Sequence, residues 1–180
     1  ILRNDPDIVM IGEIRDQETA VIAIESALTG HLVLSTLHTN DAASSLTRLT
    51  EMKIEPFLIS SAVDCIVAQR LARKLCVDCK EAYTPSDKAL ATIGFPKYKG
   101  QLYRARGCKR CNNTGYKGRI GLYEVLLVSE KIERLIVKKA TAEEITKVAV
   151  AEGMQTLRQD GFAKVINGIT SIEEVMRVTV

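Results

Sequence analysis

The sequence predicts an α/β protein, and three features carry the prediction. Two apolar runs of β type, Ile8–Gly12 and Leu32–Leu37, flank a 14-residue helical pattern from Asp16 to Thr29. A stretch with two Cys-x-x-Cys pairs follows, and beyond it the chain is mainly helical to its end. The expected divisions are an α/β part over 1–75, a metal-held lobe over 76–119 and a helical subdomain over 120–180.

Each element has a local reason. Asp5 and Asp7 flank Pro6 ahead of the first strand, where turn chemistry accounts for them. Asp16 caps the helix, Val21, Ile24 and Leu28 recur at helical spacing, and Gly30 stops it. A strand–helix–strand crossover makes the two strands parallel when they share a sheet, so their C-terminal ends lie on one edge. Glu13 follows the first run and His38 the second, which sets a carboxylate and an imidazole on the rim where open α/β sheets place ligands. A glutamate there can polarise a water, hold Mg²⁺ through water, or merely pair with Arg15. His31, just after the stop glycine, suits either a turn or a site.

Thr39-Asn40-Asp41 forms a cap cluster before a helix over Ala42–Met52. Pro56 opens another, expected from Phe57 to about Leu71, with a short strand over Leu71–Leu75. Cys65 falls inside that helical run and is expected in the core, because cysteine packs as a small hydrophobe. Ile120–Leu127 has the character of a strand, and two capping boxes, Thr141-x-x-Glu144 and Ser171-x-x-Glu174, open helices near the end.

Cys76-x-x-Cys79 and Cys108-x-x-Cys111 lie 28 residues apart. Four thiolates complete a tetrahedral Zn²⁺ site with no open position, so the expected role is structural. The five cysteines are an odd number, and this pairing fits metal in a reducing compartment better than a secreted disulfide framework. Pro85, Pro96 and several glycines make the stretch look like loops held by that centre.

Composition excludes some classes. No apolar run approaches the roughly 20 residues of a membrane span, and there is no signal-peptide pattern. The chain opens Ile1-Leu2-Arg3-Asn4 without an initiator Met and is expected to be an excised fragment. A net charge of +3 does not by itself imply nucleic acid, and 4% aromatic residues without Trp argue against a base-stacking surface. Lys97–Arg119 nonetheless holds eight Lys or Arg and no acid. Part of that charge compensates a zinc tetrathiolate of −2. Arg104, Arg106, Lys109, Arg110, Lys117 and Arg119 could otherwise meet acidic phospholipid, a partner protein or nucleic acid.

DPDIVMIGEIRDQET resembles the Walker B segment of the secretion ATPase superfamily, and TGHLVLSTLHTND resembles its histidine box. The four cysteines match the zinc lobe of the type II secretion and type IV pilus motors, and GMQTLRQDGFAKVINGITSIEEVMRV is similar to their helical tail. The resemblance implies the C-terminal half of a RecA-like P-loop ATPase domain with an inserted zinc lobe. It makes Glu13 the residue that prepares water and supports Mg²⁺. His31 and His38 take the histidine-box positions, the second sensing the γ-phosphate, and Arg15 lies on the cofactor side. It further implies ATP-driven homo-hexamers, cytoplasmic and peripheral at the inner membrane, acting on a membrane platform protein to assemble a pilus or pseudopilus.

One departure dominates: no glycine here is followed by lysine, so the phosphate loop G-x-x-x-x-G-K-[ST] is missing. The fragment alone is therefore expected not to hydrolyse ATP. Competing readings are a DNA-uptake motor of the same superfamily, a basic zinc-lobe binding module, and an interaction domain that has lost catalysis.

Overall fold

A computed structural model describes residues 6–95 and 98–179. The opening Ile1–Asn4, Asp5, Pro96 and Lys97, all invoked above, lie outside those residues. The chain divides into two compact units, one of residues 1–68 with 125–154 and one of residues 69–124 with 155–180.

The first unit begins with the expected crossover. Strand β1 (Ile8–Ile11), helix α1 (Gln17–Leu28) and strand β2 (Leu32–Ser35) follow in order. β1 and β2 pair in parallel, with Ile8 opposite Leu32 and Ile11 opposite Ser35. Asp16 caps α1 by accepting a hydrogen bond from the Thr19 N–H. The helix buries Ile24 of the expected stripe together with Ala20, Ala23 and Ser26, while Val21 is half-buried and Leu28 exposed. One sheet face is open: Ile8, Met10, Leu32 and Leu34 are all largely exposed.

Helices α2 (Ala43–Glu51) and α3 (Pro56–Ala62) come next, α3 starting on Pro56 because a missing N–H costs nothing in the first turn. They pack with α5 (Glu130–Val137) and α6 (Ala142–Ala151) around Leu46, Leu49, Ile59, Ile132, Ile136 and Ile145. The capping box at Thr141 forms as expected, with Glu144 returning to the Thr141 N–H.

The helix expected over Phe57–Leu71 ends at Ala62, and strand β3 runs from Cys65 to Leu75. Local propensity loses to pairing. β3 joins the later strand β6 (Tyr116–Leu127), with Val128 N–H bonded to the Asp64 carbonyl at one end and Cys76 N–H to that of Gly115 at the other. The ribbon is therefore antiparallel. Cys65 consequently opens a strand on an exposed position and is not a core residue.

In the second unit the stretch expected as loops contains strand β4 (Glu81–Tyr83), helix α4 (Asp87–Thr92) and strand β5 (Leu102–Arg104). β4 and β5 pair antiparallel, Glu81 opposite Arg104. Leu90, Ile93 and Leu102 close a core with Phe162 and Val165 of α7 (Leu157–Ile166) and Val175 of α8 (Ile172–Val178). At Gly161 an added Cβ would stand 2.6 Å from Val175 Cγ1, so only glycine lets α7 approach this closely.

The second expected capping box is half-formed. Ser171 accepts from the Glu174 N–H, but the Glu174 side chain turns inward, where it is 0% exposed. It accepts from Arg73 N, Nε and a terminal guanidinium nitrogen at 2.7–3.0 Å, and from Arg177 at 2.6 and 2.9 Å. Burial opposes its ionisation, yet Arg177 and Arg73 bring its carboxyl from 4.5 to about 2. Because the folded value is the lower one, the stabilisation is complete above pH 4.5 and disappears as pH falls through about 2. The stability difference between wild type and Glu174→Gln should therefore shrink by on the order of 3 kcal/mol across that window in denaturant titrations. A difference independent of pH would show that Glu174 is not held as the carboxylate.

Candidate catalytic rim and metal centre

In the first unit the two chain segments leaving the sheet are tied together just beyond their strands. Ile14 N–H donates to the Thr36 carbonyl at 2.9 Å, and Thr36 Oγ1 donates to the Gly12 carbonyl at 2.8 Å. Ile14 is buried and anchors the first segment. Thr36 escaped the sequence reading, and its only signal was its place two residues before His38.

This lacing sets Glu13 between Arg15 and His38. Arg15 Nε donates to Glu13 Oε2 at 2.5 Å, and His38 Nε2 approaches Oε1 as an ion-pair partner. The Glu13 side chain is only 20% exposed, against 76% for Arg15 and 87% for His38. Oε1 is covered from solvent and receives no aligned hydrogen bond. Such an oxygen has acceptor capacity to spare, which suits a carboxylate that must take a proton or order a water at a hydrated cation.

His31 does not join this group. It stands before β2, at the opposite end of the strand from His38. Its Nδ1 lies 3.0 Å from the Ser26 carbonyl and 3.1 Å from Thr29 Oγ1, closing the C-terminus of α1. Asp7, exposed just before β1, contributes its carbonyl to the Leu32 N–H, which fixes where the two strands begin to pair.

In the second unit the four expected cysteines converge. Their sulfurs all lie within 4.8 Å of one another, and this group can hold a metal ion. Cys76 and Cys108 stand 4.0 Å apart, while Cys79–Cys111 and Cys108–Cys111 are each 3.8 Å. A tetrahedron with Zn–S bonds of about 2.3 Å has edges of about 3.8 Å, which these three separations match to within 0.2 Å. These distances are also far beyond the roughly 2.05 Å of a disulfide.

Backbone geometry prepares the sulfurs for charge. Cys108 N–H and Gly115 N–H each donate to Cys111 Sγ at 3.2 Å. Gly115 can do so because it takes φ +75°, and an added Cβ would meet Ala105 Cβ at 2.5 Å. Burial resists ionisation of Cys111, but those two N–H groups and the neighbouring thiols lower its pKa to about 6. Burial and the adjoining thiols push Cys79 up to about 12. Cysteine binds a metal as the thiolate, so loading an ion here is coupled to release of thiol protons.

The basic stretch is partly neutralised where it stands: Arg104 pairs with Glu81 at 3.2 Å and Arg110 with Asp78 at 2.5 Å. Arg106, Lys109, Lys117 and Arg119 are exposed. No helix among the described residues is long and apolar enough to cross a membrane.

Comparison with known proteins gives these features a context. The profile of the type II/IV secretion system protein family matches residues 1–177. The chain is 53% identical to the type II secretion system ATPase E of Vibrio cholerae, covering 99% of this chain and 36% of that one. It is 50% identical to the type IV pilus assembly ATPase PilB of Thermus thermophilus, over 99% of this chain and 20% of that protein. Among solved structures, the pilus retraction motor PilT with bound ADP matches at a TM-score of 0.67 and 26% identity, over 98% of this chain and 40% of that one. The chain thus spans between a fifth and about two fifths of the length of these relatives.

Proposed function

Because the chain belongs to the type II/IV secretion system protein family, we propose that it forms the C-terminal part of a motor ATPase that couples ATP hydrolysis to assembly of a pilus or pseudopilus. The observation that carries the reading is Glu13 seated between His38 and Arg15 at the C-terminal edge of a parallel strand pair. Glu13 acts as the base that orients water. His38, exposed and in contact with that oxygen, follows the phosphate side of the site and relays its state to the carboxylate. Arg15 fixes the rotamer of Glu13 and lies toward bound ATP. His31 serves the same histidine box from the far end of β2, by setting where that strand starts. Bound Mg²⁺ neutralises phosphate charge, and Glu13 is the residue here suited to support it through water.

The open face of β1 and β2 supports a RecA-like domain divided between this chain and the rest of the protein. Parallel sheets are covered on both faces, and Ile8, Met10, Leu32 and Leu34 leave one uncovered. We assign the part of residues 1–75 that lies in the first unit to that domain, and structural Zn²⁺ to Cys76, Cys79, Cys108 and Cys111 of the second unit; the lobe expected over 76–119 and the subdomain expected over 120–180 share one core and the strand β6. The full protein works as a cytoplasmic homo-hexamer, peripheral at the inner membrane, against a membrane platform protein, with the basic lobe toward acidic lipid.

The test is an ATPase assay on two proteins. The full-length protein should turn over ATP, and the 180-residue chain, which lacks the phosphate loop, should not. Turnover by the short chain, or none by an assembled full-length protein, would overturn the proposal.

A further inference from the structure

We propose that the Asp78–Arg110 ion pair is a clasp that locks the two cysteine turns together and so retains the metal; the proposal rests on the zinc reading above. Asp78 stands between the ligands Cys76 and Cys79, and Arg110 between Cys108 and Cys111. Each turn therefore carries two thiols and one member of an opposite-charge pair. Arg110 donates to Asp78 Oδ1 at 2.5 Å across 32 residues of sequence. The other carboxylate oxygen, Oδ2, lies 3.7 Å from Cys76 Sγ.

That second contact makes the pairing more than a solvated surface bridge. A thiol at Cys76 donates to Asp78, but a metal-bound thiolate has no proton to give. With four thiolates around a divalent ion the centre carries −2, and a carboxylate at its flank is repelled unless a cation holds it. Arg110 supplies that cation from the opposite turn. Metal loss requires one pair of thiolates to separate from the other, since each turn alone offers half the ligands. A link that does not involve the metal keeps the halves at high effective concentration after one sulfur lets go, which favours recapture. Exposure limits the size of the effect: the Arg110 side chain is 70% exposed and that of Asp78 31%.

The experiment is zinc release from the loaded chain into excess chromogenic chelator, after elemental analysis has fixed the metal content of each protein. Asp78→Asn and Arg110→Met should each release zinc about 2- to 5-fold faster than wild type, as for a partly exposed pair. The double variant should be no faster than either single, and the reversed pair D78R/R110D should recover most of the retention. The wild-type advantage should narrow at high salt. If the two side chains act only by their separate charges, Asp78→Asn holds zinc longer than wild type and the two effects simply add; either result overturns the clasp. Equal rates for all variants overturn it as well. Wild type without stoichiometric zinc removes the metal reading and the clasp together, and the elemental analysis distinguishes that failure from the others.

Discussion

Stripping the metal from the loaded chain should unfold the two cysteine turns and leave most of both units standing. Structural zinc contributes roughly 10–16 kcal/mol of apparent folding energy to small metal-dependent peptides, which have little else to hold them. Here the segment between the turns has its own support. Leu90, Ile93 and Leu102 pack with Phe162, Val165 and Val175 in a core that needs no ligand. The parts that depend on the centre are those whose contacts are made through sulfur: Cys76–Cys79 and Cys108–Gly115, where the Cys108 and Gly115 N–H groups point at Cys111 Sγ. Hydrogen exchange should show those amides losing protection by two orders of magnitude or more on chelation, while α7 and α1 keep theirs. Cys111→Ser should reproduce the loss and abolish stoichiometric zinc, because it removes one of the four sulfurs and the one that accepts from the Cys108 and Gly115 N–H groups. Unchanged protection at Gly115 in metal-free protein would show that the turns are held without a metal. Collapse of the whole unit would show instead that the apolar core is too small to stand alone.

The sequence disclosed that Glu13 meets His38 and that the four cysteines converge, because both are written in spacing. Two β-type runs around a capped helix leave few topologies, and handed crossovers then put Glu13 and His38 on one edge without any knowledge of side-chain positions. Two Cys-x-x-Cys pairs likewise name the four sulfurs that come together. The region after α3 was opaque for a physical reason. Cys65–Leu75 carries Ala68, Ala72 and Leu75 as its buried residues, at offsets that imitate a helical stripe, amid Gln, Arg and Lys that favour helices. What makes it a strand is β6, more than 40 residues away in sequence, and no local pattern reports a pairing partner. Glu174 failed the same way. Its spacing from Ser171 announces a capping box, but two arginines from α8 and β3 outbid the helix terminus for its oxygens. Long-range electrostatics and strand pairing are the terms a one-dimensional pattern omits.

Glu13→Gln in the full-length protein should lower kcat for ATP by two to four orders of magnitude, the usual contribution of a positioned general base, with little change in nucleotide affinity. The amide keeps the shape of the side chain and can still accept from Arg15 Nε. It loses the charge that draws the His38 Nε2 to Oε1 and the basicity needed to take a proton from water. Two neighbouring substitutions separate those roles. Arg15→Ala frees Glu13 Oε2 without removing the base, so it should cost far less, on the order of tenfold, through a less fixed rotamer. His38→Ala should leave Oε1 accessible but uncoupled from the phosphate side, lowering kcat while KM moves little. Single-turnover hydrolysis with nucleotide binding measured in parallel distinguishes these outcomes. A Glu13→Gln protein that binds ATP normally and hydrolyses it within threefold of wild type would remove Glu13 as the base, and the contact of its buried Oε1 with His38 would then need another explanation. A variant that instead loses binding altogether would place Glu13 on the Mg²⁺ side of the site, supporting the bound nucleotide rather than activating the water.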